Sequence, residues 1–154
     1  MARDAIVFAC ANPVPEIWPW EARAAGARVV ATGRGDFPNQ LNNSLVFPEL
    51  FRGALDVRTR TITDQMARSV ARELARFAEA RSIRDEDILP RMDEWDVFPR
   101  VAAAAGVAAQ EDGVALVSKD WKRLYADAAR TMREAREAVA LLMREGLIAN
   151  PPSA

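Results

Sequence analysis

The chain has 154 residues, with 21 Lys and Arg against 22 Asp and Glu and a net charge of -1, the balance of one ordinary globular domain long enough to bury a sizeable core. That charge gives no electrostatic footprint for nucleic acid or anionic lipid, the single cysteine (Cys10) excludes an internal disulfide and a Cys-rich metal site, and no stretch approaches the roughly 20 apolar residues of a membrane span. There is no histidine, and the chain has only two lysines (Lys119 and Lys122) and one tyrosine (Tyr125), so it carries few groups for moving protons; arginine supplies the basicity and cannot act as a base. The expected location is the cytoplasm, with neither membrane nor nucleic acid as a partner.

"AIVFAC", residues 5–10, is a short apolar run with β-branched members and reads as a buried strand ending in the loop "ANPVP". "PWEARAAGA" reads as a short helix: Pro19 suits its first turn, Glu21 its N-terminal end and Gly26 its stop. "ARVVAT", residues 27–32, is a second strand, and strand, short helix, strand is the parallel crossover unit of an α/β sheet. "NNSLVFPELFRGALDV" predicts a helix with Leu45, Val46, Leu50, Phe51 and Leu55 on its apolar side, bent or beginning at Pro48. "TDQMARSVARELARFAEA" predicts another, with Met66, Val70, Leu74 and Phe77 on one stripe and arginines opposite. "DILPRMDEWDVFP" reads as irregular. "RVAAAAGVAAQEDGVA" reads as an alanine-rich helix ending near Gly113, and the long final helix is predicted to run from an N-cap at Ser118 to a stop at Gly146. Two strands are marginal alone, so the expected fold is the back end of a larger parallel sheet followed by a mostly helical remainder.

Between the second strand and the next helix lies "ATGRGDFPNQLNN", residues 31–43, which shows neither period. Asn, Gly, Pro and Asp serve purely conformational ends in turns. Loops held by a rigid scaffold also carry ligands. The composition alone favours the turn.

The quoted motifs, in this order, resemble the malic enzymes of the bacterial and archaeal type, which decarboxylate malate oxidatively to pyruvate with NAD or NADP. "IVFACANPVPEI" is similar to the strand and loop at the nicotinamide end of that family's dinucleotide-binding domain, and "ATGRGDFPNQLNN" to its signature loop. "FPELFRGALDVRTRTITDQM" and "DILPRMDEWDVFPRVAAAAGVAAQEDGVA" are similar to the segments behind it. The resemblance implies an α/β fold, the C-terminal portion of a Rossmann-like NAD(P)-binding domain over residues 1–115, with residues 116–154 as a long helix and tail packed on it. It implies that Asn12 and Asn42 bind cofactor near the nicotinamide, that Asn43 contacts malate, and that Arg34, Asp36 and Asn39 support the loop. An uncharged amide suits such a place, because it donates and accepts without disturbing hydride transfer. The family usually has Ser at Gly35 and Gly at Glu49.

Trp18 and Trp20 read as surface packing or a subunit contact rather than a cofactor stack, and Trp95 and Trp121 as packing. Lys119, Lys122 and Tyr125 read as ordinary faces of the last helix, and Cys10 as a small apolar residue packed at the strand end.

The family's base (a lysine), its acid (a tyrosine), its acidic ligands for Mg or Mn and its glycine-rich phosphate turn all lie upstream of the matched region, and no G-x-G-x-x-G occurs in this sequence. No catalytic and no metal-binding residue is therefore expected in this chain, and Met1 resembles an internal methionine of the family. Two functions are compatible with these observations. One is the C-terminal cofactor- and substrate-binding segment of a malic enzyme, inactive alone, whose partner is the missing catalytic half or a full-length enzyme and which self-associates through exposed apolar surface. The alternative is a free-standing, non-catalytic interaction or regulatory module derived from such an enzyme.

Overall fold

A computed structural model describes residues 1–151. Strand β1 (Ala5–Ala9), helix α1 (Pro19–Ala24) and strand β2 (Ala27–Thr32) form a crossover in which the two strands pair in parallel, with Val7 opposite Val30 and Ala9 opposite Thr32. Gly26 ends α1 at φ 98°, a region that glycine enters without strain. β2 is buried at five of its six positions, whereas β1 exposes Ile6 (65%) and Phe8 (52%). Both strands are paired on one side only; β2 is covered because α1 packs on it and the loop after it folds back, Asn39 bonding the Val30 carbonyl and Gln40 bridging Thr32, whereas one face of β1 is bare.

The rest is helical. A short 3-10 turn (Asn43–Leu45) leads into α2 (Phe47–Asp56), followed by α3 (Asp64–Glu79), α4 (Val97–Glu111) and α5 (Trp121–Arg144). α2 begins with Pro48 in its first turn, where a missing N–H breaks no helical bond. α3 starts at an N-cap, Thr63, whose side chain accepts from the Met66 N–H at 3.2 Å, and it buries Met66, Val70 and Leu74 on one stripe. α4 is the hub: small residues let α2, α3 and α5 approach it closely, and its Val101 and Ala105 join Leu45, Val70 and Leu74 in one core cluster while Ala108 and Ala109 join Met66 and Leu124 in another.

Several sequence expectations are corrected. The N-cap of α5 is Asp120, which accepts from the Arg123 N–H at 2.7 Å, and not Ser118. The Gln110 side chain holds Lys119 off the helix by taking its N–H at 2.8 Å and giving a bond to its carbonyl at 2.9 Å. Lys119 therefore precedes α5, and its ammonium pairs with Asp127 at 3.0 Å. α4 starts at Val97, so the last part of the segment expected to be irregular is helical, with Pro99 inside the first turn. Phe51 (42%) and Leu55 (64%) face out of α2, and Cys10 is exposed beyond the end of the edge strand.

Candidate functional site

Both strands end at the same edge of the sheet, and the loops that leave them are clasped together. A Cβ added at Gly33 would lie 3.2 Å from the Cys10 carbonyl oxygen and 3.6 Å from the Asn12 Cβ, so glycine permits the close approach. The Arg34 guanidinium donates to the Pro13 carbonyl at 2.9 Å and forks onto Asp36, with bonds of 2.8 and 2.7 Å to its two carboxylate oxygens. Bidentate, charge-assisted bonds of this kind fix orientation as well as distance. The Asp36 carboxyl is held below its usual range by the Arg34 bonds, and the Arg34 guanidinium is raised by Asp36. Arg34 also lies 5.7 Å from the Trp18 ring and 5.8 Å from that of Phe37. Trp18 stacks on Trp20 with ring centroids 4.9 Å apart.

The loop then closes on itself, the Leu41 N–H donating to the Thr32 carbonyl at 2.7 Å. Asn39 is buried with φ 58°, a conformation Asn tolerates better than other branched or bulky residues. Its Nδ2 donates to the carbonyls of Val30 at 3.1 Å and Asp85 at 2.8 Å, and its Oδ1 accepts from the Ile88 N–H at 2.9 Å. One side chain thus ties β2 to a segment almost fifty residues further along. Ion pairs reinforce that tie: Arg28 to Asp85 at 3.1 Å and Arg23 to Glu86 at 3.2 Å.

The asparagines differ in what they leave free. Asn42 caps the 3-10 turn, its Oδ1 accepting from the Ser44 N–H at 2.9 Å. Asn12 and Asn43 are exposed, and among the described residues neither side chain makes a hydrogen bond to protein. Asn39 and Asn42 line a cleft of about 550 Å³ together with Gln40, Glu86, Asp87 and Arg91. Asn42 and Asn43 line a second, more apolar cleft of about 710 Å³ beside Leu45, Phe47 and Leu74. Asn12 lines neither. The structure brings Asn12 to Gly33 and Arg34, and Asn39 to Asn42, around one loop.

Two acids have surroundings that the sequence does not announce. Glu16 accepts from the Ala11 N–H at 3.0 Å, a bond that lowers its carboxyl from 4.5. Its position in "NPVPE" carries no pattern that marks it. Glu49 is buried on α2, its Oε2 without a partner, and burial pushes its carboxyl up. The departure from the family's glycine at this position was visible in the sequence, but its burial was not. Among the described residues, no group of three or more His, Cys, Asp or Glu is placed to hold a metal ion, and no helix is long and apolar enough to cross a membrane.

A family model described as malic enzyme, NAD binding domain, matches residues 24–111. The bifunctional malic/malolactic enzyme of Bacillus subtilis is 48% identical over 120 residues, covering 78% of this chain and 29% of that protein. The NAD-dependent malic enzyme of Geobacillus stearothermophilus is 47% identical over 115 residues, 75% of this chain and 24% of that protein. The crystal structure of Entamoeba histolytica malic enzyme superposes with a TM-score of 0.93 at 51% identity, covering 99% of this chain and 32% of that one. The chain spans under a third of the length of the curated relatives it matches.

Proposed function

The chain belongs to the family of the malic enzyme NAD-binding domain, and from that premise we propose that it is the segment of a malic enzyme that contacts the nicotinamide end of NAD or NADP and the substrate malate. Asn12 and Asn42 contact the cofactor and Asn43 the substrate. Arg34, Asp36 and Asn39 hold the loops that carry them. The observation that carries this reading is the pair of exposed carboxamides, Asn12 and Asn43, which have no protein partner among the described residues on a cluster of loops that is otherwise heavily bonded. Carboxamides carried by the segments that follow the carboxyl ends of parallel strands fit the carboxamide and ribose of a nicotinamide nucleotide.

The donor set does not extend to the rest of the reaction. The chain has no glycine-rich turn for the pyrophosphate and no acidic cluster for a divalent cation among its described residues. Assayed by itself it therefore binds dinucleotide weakly and does not turn over malate. The catalytic remainder of the enzyme, or a full-length relative, is its partner in the cytoplasm. The exposed Ile6 and Phe8 on the single-sided strand β1 favour this segment reading over an independent module, because they leave a bare sheet face and edge that another part of a sheet domain would cover.

The test is titration of the isotope-labelled chain with NAD, followed by NMR. Millimolar binding that shifts the side-chain amides of Asn12, Asn42 and Asn43 is the expected result. Micromolar binding would contradict the role given to the absent phosphate turn, and shifts confined to other surfaces would contradict the site.

A further inference from the structure

We propose that Glu16 and Arg34 are positioning residues that hold the backbone on both sides of Asn12, so that its carboxamide projects toward the nicotinamide end of the cofactor from a fixed point of the chain. The proposal rests on the reading of Asn12 given above. The residue before Asn12 is fixed by Glu16, whose carboxylate accepts the Ala11 N–H at 3.0 Å. The residue after it is fixed by Arg34, whose guanidinium donates to the Pro13 carbonyl at 2.9 Å. Asn12 lies between these two fixed points with its own side chain unbonded, whereas the carboxamides of Asn39 and Asn42 are engaged with backbone.

Each brace is itself restrained. Arg34 is forked onto Asp36, lies over Trp18 and Phe37, and its backbone N–H donates to the Thr32 hydroxyl at 3.2 Å, at the end of the buried strand β2. Glu16 stands three residues before α1 begins at Pro19, where the Trp18 N–H donates to the Glu21 carboxylate at 3.2 Å and so fixes the start of that helix. The Glu16 carboxyl is lowered by the bond from Ala11, and that of Asp36 by Arg34, so both acceptors are charged at neutral pH. A ligand-binding group is most effective when the residues behind it, and not the ligand, bear the entropy of fixing it. Here the supporting bonds come from two different loops, so Asn12 cannot shift without breaking one of them.

The experiment uses the labelled chain and two independent readouts. The heteronuclear NOE of the Asn12 backbone amide, without ligand, reports the brace, and the dissociation constant for nicotinamide mononucleotide reports the use made of Asn12. In the unaltered chain the amide is rigid. Arg34→Lys, which keeps the charge and loses the fork, and Glu16→Ala should both render it mobile and weaken binding about tenfold. Glu16→Gln keeps an acceptor oxygen and should restore rigidity and bring binding within about twofold of the original. A rigid Asn12 amide in Glu16→Ala and Arg34→Lys would overturn the brace, whatever the binding. Asn12→Ala is the control for the underlying reading: unchanged binding in that variant would overturn the cofactor role of Asn12 while the NOE still judges the brace. Should Arg34→Lys fail to fold, the Glu16→Ala and Glu16→Gln pair decides the matter alone.

Discussion

Gly53 of α2 and Gly106 of α4 face each other where the two helices cross, and the contact leaves no room for a methyl group at the first of them. A Cβ at Gly53 would collide with the Ala102 carbonyl oxygen and lie 2.8 Å from the Ala105 Cβ and 2.9 Å from the Gly106 nitrogen. A Cβ at Gly106 would meet instead the Leu124 methyl groups at 3.0 and 3.2 Å, on a side chain that can turn away. Gly53→Ala is therefore expected to cost about 3 kcal/mol, near the upper end of overpacking effects, and Gly106→Ala about 1 kcal/mol. Urea unfolding of the two variants measures the difference, and equal costs would show that α2 can move away from α4.

Asn39 supplies three bonds to three separate backbone groups from a left-handed conformation. Asn39→Ala should destabilise by about 3 kcal/mol, since it leaves the buried Val30 carbonyl and the Asp85 carbonyl without their donor and the Ile88 N–H without its acceptor. Asn39→Asp should be worse at neutral pH, because a carboxylate would then face those two carbonyls. Thermal unfolding gives the order, and an Asp variant as stable as the parent would contradict the assigned amide orientation.

Glu49 and Glu16 should give stability profiles of opposite sign. Burial raises the Glu49 carboxyl above 4.5, so the fold favours its protonated form. The associated stability is complete below the ordinary value and is lost as pH rises through the folded one. Glu49→Gln should match the parent in acid and exceed it at neutral pH. The Glu16 carboxyl is lowered from 4.5, so its contribution is present above that value and fades as pH falls through the folded one. Exchange protection of the Ala11 amide should fall with it. Chemical unfolding across the acid range tests the first statement and amide exchange the second; a Glu49→Gln variant with the parent's profile would rule out the buried carboxyl as a source of pH dependence.

Glu73 of α3 is buried and pairs with Arg100 of α4 at 2.7 Å, with Arg76 at 3.8 Å on its other oxygen. Arg100→Leu should cost about 2–3 kcal/mol by leaving the carboxylate with the longer contact only, discounted because Arg100 reaches solvent. The double variant Glu73→Leu/Arg100→Leu should recover most of that loss. A double variant no better than the single one would mean that the pair is worth more than its desolvation costs.

Local chemistry made much of the fold legible. Apolar β-branched runs marked β1 and β2, and Gly26, Gly113 and Gly146 end their helices at φ 98°, 67° and 71°, as glycine stops should. What stayed hidden depends on partners far away in sequence. Ser118 is as good a cap as Asp120 on paper, and only the Gln110 side chain, nine residues before Lys119, decides between them. Cys10 looks like a core residue, but it lies just past the end of β1, the strand with a bare face, and is exposed. The bonds of Asn39 reach Asp85 and Ile88, and no spacing within the loop announces them. The asparagines were singled out by resemblance. Whether each carboxamide is free or engaged depends on how the chain folds around it, as the bonds from Asn39 to Val30 and Asp85 show.

The most direct measurement is on a chimera: residues of this chain replacing the matched 115-residue segment in the Geobacillus stearothermophilus NAD-dependent malic enzyme, 47% identical there, assayed for malate-dependent reduction of NAD. The account predicts an active chimera that loses about a hundredfold or more of its kcat/KM on Asn43→Ala, equivalent to roughly 3 kcal/mol of transition-state stabilisation. A folded chimera that is inactive, or one whose activity is indifferent to Asn43, would contradict it.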